Sequence, residues 1–297
     1  MGKLVIPGGG PNDRAVLQGM YLFTEIVGDA RYVSSGSGSS TGPGFAPENA
    51  YATLIQAQTA STASQGDVVL VCPGHAESVI AAAGMTFSKA GVQYIGLGVG
   101  RNRPTITFST DTAAQIIVSG ANILFKNIVF DLTGVSAIVA AISVTGADVA
   151  FEDCEFIIST GTNAPVLGIL TAATAARLRI ERCRFIGPAT STDTCTACIK
   201  HEVGVDYVIR DCYFTGKMTQ AILNATALLR GQIHNNVFVI ATGTLAITMH
   251  ASSTPMITNN RINVPSGTTP ITAAAGFVAG NVYSAAAGVT AGIASTF

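Results

Sequence analysis

Five carboxylates stand close together in the middle of this chain: Glu152, Asp153 and Glu155 in FEDCEF, Glu181 in IERCRF and Asp211 in IRDCYF. Hydrolysis of a glycosidic bond uses two carboxyl groups about 5–9.5 Å apart, one to give a proton and the other to attack or to activate water. Glu152 and Glu181 hold the same place in successive segments, so stacking the segments could supply that separation. They are the weak catalytic candidates if the chain is an enzyme. His75 and Glu77 in PGHAE form a second pair suited to acid and base work; a turn after a strand is the plainer reading of the same residues. His201-Glu202 reads as loop, and His234 and His250 as isolated strand residues. Cys195-Thr-Ala-Cys198 has redox or half-zinc spacing, but neither a second pair nor a nearby His cluster completes a tetrahedral set. No metal and no cofactor is expected, and all six cysteines are read as packing.

The elements that must position these residues repeat. The pattern recurs as FKNIVF (125–130), FEDCEF (151–156), IERCRF (180–185), IRDCYF (209–214), IHNNVF (233–238), ITNNRI (257–262) and VAGNVY (278–283), with starts 26, 29, 29, 24, 24 and 21 residues apart. Such a period marks solenoids. Each unit is a short β-branched or aromatic run broken by Gly, Asn or Thr, with no 3.6-residue period inside it, so the units are strands. The first, fourth and sixth residues are expected to face inward, with a bend near the third. Stacked about 4.8 Å apart, the fourth position builds a cysteine ladder (Cys154, Cys183, Cys212) and an asparagine ladder (Asn236, Asn260, Asn281), and the sixth an aromatic ladder. With VQYIGLG (92–98), PTITF (104–108) and AQIIVSG (114–120) as earlier turns, the expectation is an all-β, single-stranded right-handed parallel β-helix of about nine rungs.

Aligning the rungs changes the reading of the carboxylates. The third column runs Asp153, Arg182, Asp211 and the fifth Glu155, Arg184, Tyr213, so opposite charges alternate. Pairing of this kind is a structural device worth at most about 1 kcal/mol per pair. Only Glu152 above Glu181 breaks the alternation, and Arg210 follows on the next rung. The preferred reading assigns no catalytic residue.

Composition bounds the partners. Only 11% of the 297 residues are charged and the net charge is −1, which leaves little to capture nucleic acid or an anionic membrane and favours assembly over a free monomer. The opening MGKLVIPGGGPNDR has Gly and Pro where a signal peptide needs an unbroken apolar stretch, so synthesis in a cytoplasm is expected. Residues 1–33 read as an apolar N-terminal arm that contacts other subunits, 34–47 as a flexible Gly/Ser/Pro linker, 48–66 as a capping helix, 67–285 as the β-helix and 286–297 as a C-terminal tail.

The capping segment Pro47-Glu48-Asn49-Ala50-Tyr51-Ala52-Thr53-Leu54, followed by Gly66-Asp67-Val68-Val69-Leu70-Val71 and Pro73-Gly74-His75-Ala76-Glu77, resembles the entry segment of the pectate-lyase-like β-helix superfamily, where a helix covers the open end and the first rung follows. Lyases of that fold resemble one another in a calcium-binding acidic set and a basic catalytic residue. This chain departs from that pattern, because its acids alternate with arginines, and it has no Trp to stack on sugar rings. A short β-helix behind a Gly/Pro-rich apolar arm resembles virion proteins of tailed bacteriophages. That resemblance implies a structural protein, made in the host bacterial cytoplasm and located in the virion, that decorates or cements the capsid through its arm. It also implies a homotrimer whose partners are the major capsid protein or other virion subunits. The alternative it implies is a tailspike or fibre that binds or depolymerises host surface polysaccharide.

Overall fold

Each repeat turns the chain at a left-handed residue in its third position. At the third position Asn127, Asp153, Arg182, Asp211, Asn235, Asn259 and Gly280 all have φ between +53° and +66°. Asn, Asp and Gly tolerate this region; Arg182 is the exception, at a cost of about 1–2 kcal/mol. The backbone ladder runs through the bend: Asn127 N–H donates to the Glu152 carbonyl, Asp153 N–H to Glu181 and Arg182 N–H to Arg210, at 3.0–3.1 Å. The strands before and after the bend therefore belong to one sheet.

The computed structural model describes residues 28–296 except 173, 189, 191–194, 203–205, 228, 242–244, 266–269, 274–275 and 286–291. It is a right-handed parallel β-helix with three sides. The first side begins with β1 (Ala30–Val33) and β2 (Val68–Val71) and includes Ala150–Glu152 and Arg179–Glu181; the second side includes Glu155–Ile157 and Arg184–Ile186. Among the described residues these two sides, with Gly292–Thr296, form a sheet of nineteen strands, and the third side is a separate sheet of eight. Eight strands on the third side is slightly below the nine rungs expected. At the N-terminal end, helix α1 (Leu54–Ala60) packs on β1, β2 and the first strand of the third side, Met85–Phe87.

The inward columns are as expected. Phe130, Phe156, Phe185, Phe214 and Phe238 stack at centroid spacings of 5.1, 4.6, 4.7 and 4.8 Å, and Cys154, Cys183, Cys212, Asn236, Asn260 and Asn281 are buried beside them. Cysteine and asparagine do the same work. Cys183 Sγ donates to the Phe151 carbonyl and Cys212 Sγ to Ile180, as Asn236 Nδ2 does to Ile209 and Asn260 Nδ2 to Ile233. The fourth residue of each of these rungs thus ties down the first residue of the rung before it.

The N-terminal boundary differs from the expectation. Ala30–Val33, read as the end of an arm, is the outermost strand, in parallel register with Val68–Val71. The segment read as a flexible linker folds back over it: Tyr32 N–H donates to the Gly44 carbonyl, Tyr51 N–H to Tyr32, and Ser39 N–H to Ala50, at 2.7–2.9 Å. A β-helix has an open backbone edge at its end, and these residues satisfy it. Residues 1–27 of the expected arm lie outside the described residues. Within the tail, Gly292–Thr296 pairs antiparallel with Phe277–Ala285.

Candidate functional site

The corner between the first and second sides holds the carboxylates singled out in the sequence. Glu152 and Glu181 are direct neighbours on adjacent strands, as their matching positions require. Between them comes Arg182, thrown outward by its left-handed backbone. Its Nη2 lies 3.1 Å from Glu152, its Nε 2.8 Å from Asp153 and its Nη1 3.5 Å from Glu181. The hydrogen bond to Asp153, ahead of the neighbouring carboxylates, pushes the Arg182 pKa up. Arg210 Nη2 closes on Glu181 at 2.7 Å, Arg179 reaches Glu152 at 3.4 Å, and Lys126 lies 3.7 Å from Glu152. Glu155 is shared by Arg103 and Arg184 at 3.4 Å each, and Asp211 is 3.5 Å from Arg210. The five carboxylates lie along one corner, and each has an arginine within 3.5 Å, from a neighbouring rung for Glu152, Asp153, Glu155 and Glu181 and from its own rung for Asp211.

A second charged column lies at the corner between the third and first sides. Asp148, Arg177, Asp206 and Arg230 also have left-handed backbones, φ +57° to +61°, and their side chains pair as Arg177 with Asp148 and Arg230 with Asp206. The Arg177 hydrogen bond holds the Asp148 carboxyl below its usual range, and Arg230 does the same for Asp206. Sequence reasoning missed this column. Its signal was present: each member lies three residues before Phe151, Ile180, Ile209 or Ile233.

The His75–Glu77 pair belongs to the N-terminal cap. Glu77 Oε2 accepts the Leu54 N–H at the start of α1, 2.8 Å away, and also meets His75 Nε2 at 3.2 Å. Asp67, in the Gly-Asp that opens the first rung, accepts the N–H groups of Asp29 and Thr62, both at 2.8 Å. One acid thus holds each end of the helix segment by accepting backbone N–H groups there.

Two histidine readings are corrected. His250 follows the strand Leu245–Thr248 and accepts the Ser252 N–H. His201, expected in a loop, ends the strand Cys195–His201 and is buried, because the neighbouring Thr171 and Asn224 place it in register inside the rod. Its Nδ1 is 3.0 Å from Thr171 Oγ1, and its ring stacks on Tyr207 at 4.4 Å. Among the described residues Nε2 has no hydrogen-bond partner, nor has Oδ1 of the adjacent Asn224. Burial lowers the His201 pKa to about 4.

All six cysteines are free and buried. Cys195 and Cys198, the pair with metal-like spacing, bond to a backbone carbonyl and to Met218 Sδ respectively. Burial pushes the thiols of Cys154 and Cys183 well up and Cys72 to about 11, which removes the reactive thiolate. Thiol reagent should therefore leave Cys154, Cys183 and Cys212 unmodified in the folded protein and label them on denaturation; rapid labelling of all three in the native state would show the register to be wrong.

A groove of about 350 Å³ opens on the first side near the C-terminal end, bounded by Asp206, Val208, Arg230, Gln232, Thr254 and Met256. It lies where a bulge at Arg230 and Gly231 interrupts the register between Leu229–His234 and Thr254–Thr258.

No family model and no curated protein matches the chain. Among solved structures it is similar to a pectate lyase, Pel9A, at 14% identity over 85% of this chain and 78% of that one, with a TM-score of 0.56. It is also similar to a rhamnogalacturonan lyase, at 13% identity over 82% and 84% with a TM-score of 0.48. A third similarity is to ORF18 of Geobacillus virus E2, at 13% identity over 92% and 63% with a TM-score of 0.35. The likeness to the pectate lyase is one of fold.

Proposed function

We propose that this β-helix is a structural protein of a tailed-bacteriophage particle, decorating or cementing the capsid as a trimer and attaching through its N-terminal segment. The observation that supports a scaffold role is the corner around Arg182: acids that could have acted on a glycan are bound to arginines of adjacent rungs. The second corner pairs its acids with arginines in the same way, and the acids of the N-terminal cap accept backbone N–H groups. No helix among the described residues is long and apolar enough to cross a membrane.

Attachment can be tested by truncation. Because Ala30–Val33 is a strand of the rod, the cut belongs after residue 27. The shortened protein should keep its β-sheet circular dichroism and lose at least tenfold in affinity for capsids lacking it. Undiminished binding would refute attachment through this segment.

A polysaccharide-binding or polysaccharide-cleaving spike is the second reading, favoured by the groove beside Asp206 and Arg230. Release of reducing or unsaturated sugar ends from host polysaccharide would establish it, at the groove if Asp206→Asn abolishes the release and at the carboxylate corner if Glu152→Gln with Glu181→Gln does.

A further inference from the structure

One inward column of the third side changes character halfway along the rod. It reads Phe87, Val118 and Val144, then Thr171, His201 and Asn224. All six are buried, so the polar three need partners inside the rod. Thr171 Oγ1 lies 3.0 Å from His201 Nδ1. Asn224 Nδ2 donates to Ser253 Oγ at 2.9 Å, and Ser253 Oγ donates onward to the Thr226 carbonyl at 3.3 Å. The series breaks at one point: among the described residues neither His201 Nε2 nor Asn224 Oδ1 has a hydrogen-bond partner, although the two residues are opposed in register. Donor and acceptor roles there follow from the neighbours. Among the described residues the Thr171 hydroxyl has no other acceptor, so its proton goes to Nδ1 and the neutral ring carries its own on Nε2. Ser253 gives its proton to Thr226 and accepts the Asn224 amide nitrogen, which leaves that amide's oxygen as the open end.

We propose that this point is a binding site for one water molecule, which accepts from His201 Nε2–H and donates to Asn224 Oδ1. It closes a hydrogen-bonded series that runs from Thr171 to Thr226 inside the rod. The spacing suits it. Rungs stack about 4.8 Å apart, too far for a direct bond, whereas two hydrogen bonds of about 2.8 Å meeting at a tetrahedral oxygen span about 4.6 Å. Buried waters make about three hydrogen bonds, and Tyr207 supplies the third partner. Its ring stacks on His201, and its hydroxyl donates to Met249 Sδ at 3.6 Å, the sulfur that the Asn224 amide approaches at 3.8 Å. The phenol oxygen therefore keeps its lone pairs for the water's second proton. A metal ion is the poorer occupant. Among the described residues no three His, Cys, Asp or Glu side chains gather to hold one, and a cation would be desolvated among neutral groups. The site is a property of the rod and stands whatever the rod does in a particle.

The test is a crystal structure of the full chain at neutral pH, at a resolution that shows ordered water, together with nitrogen NMR of its histidines. The expected result is one ordered oxygen within about 2.7–3.2 Å of both His201 Nε2 and Asn224 Oδ1, and a His201 ring protonated at Nε2. Direct contact between the two side chains, no density between them, or a proton on Nδ1 in place of Nε2 would overturn the proposal. So would a peak about 2.0–2.1 Å from Nε2, which is the distance of a metal ion. Asn224→Leu, a change of similar size, removes the acceptor: the ordered oxygen should vanish, and urea unfolding should show the folding constant lowered at least tenfold. An oxygen that persists beside Leu would count against the bridge, and the wild-type structure and spectra decide the matter even if that variant does not fold.

Discussion

Replacing Asn260 with alanine is expected to lower the unfolding free energy by roughly 3–4 kcal/mol, since loss of a buried partner costs about 1–3 kcal/mol per stranded group. Asn260 Oδ1 accepts the Asn236 backbone N–H at 2.9 Å and the Asn236 side-chain amide at 3.0 Å, while its Nδ2 donates to the Ile233 carbonyl and to Asn281 Oδ1. Alanine deletes all four bonds in a site with no exposure and leaves the Asn236 N–H without an acceptor. Asn260→Cys should fall between wild type and alanine: a thiol can still donate to Ile233, as Cys212 does to Ile180, but accepts poorly. Urea unfolding followed by circular dichroism orders the three proteins. A loss below 1 kcal/mol for the alanine variant would mean that the ladder is not what holds these rungs.

Mild acid should weaken the protein through His201. The unfolded chain takes up a proton at His201 near the ordinary value of 6.5, whereas the folded chain does so only at about 4. Stability from this residue is therefore full above about pH 6.5, is lost as the pH falls towards 4, and changes no further below that. At about 1.36 kcal/mol per pH unit the loss is roughly 3 kcal/mol. The groups facing His201 are Thr171 and Tyr207, neither of which ionises in that window, and the nearby Glu202 is paired with Lys200. Asp148 and Asp206, whose carboxyls are lowered by their arginines, contribute only in more acidic solution. In His201→Gln the slope between pH 6.5 and 4 should disappear, whatever the variant's stability at neutral pH. A slope unchanged by the substitution would place the titrating group elsewhere.

Much of this architecture is local. The inward residues lie at fixed offsets from one bend, and the bend needs a residue that accepts a left-handed backbone, so Asn127, Asp153, Asn235 and Gly280 announce it wherever they occur. Burial of the first, fourth and sixth positions, the Phe ladder and the alternation of Asp153, Arg182 and Asp211 all follow from that offset. The second corner is equally regular: Asp148, Arg177, Asp206 and Arg230 keep a fixed offset of three residues before the first position of the repeat, so it too was legible once the columns were extended upstream.

Other features have no local cause. Ala30–Val33 is no better a strand by composition than many apolar segments; it becomes one because Val68–Val71 presents an unpaired edge. His201 looks like a loop residue beside Glu202 until register with Thr171 and Asn224 draws it inside, where burial changes its proton affinity. Glu77 shows nothing of its role until α1 is laid over the first rung. The order of residues along the chain dictates the coil, because a bend and its alternating strands are short-range properties of the backbone. Which side chains then touch is a long-range property, set by how successive coils come into register, and that is where the charge pairs, the buried histidine and the outward face of this protein arise.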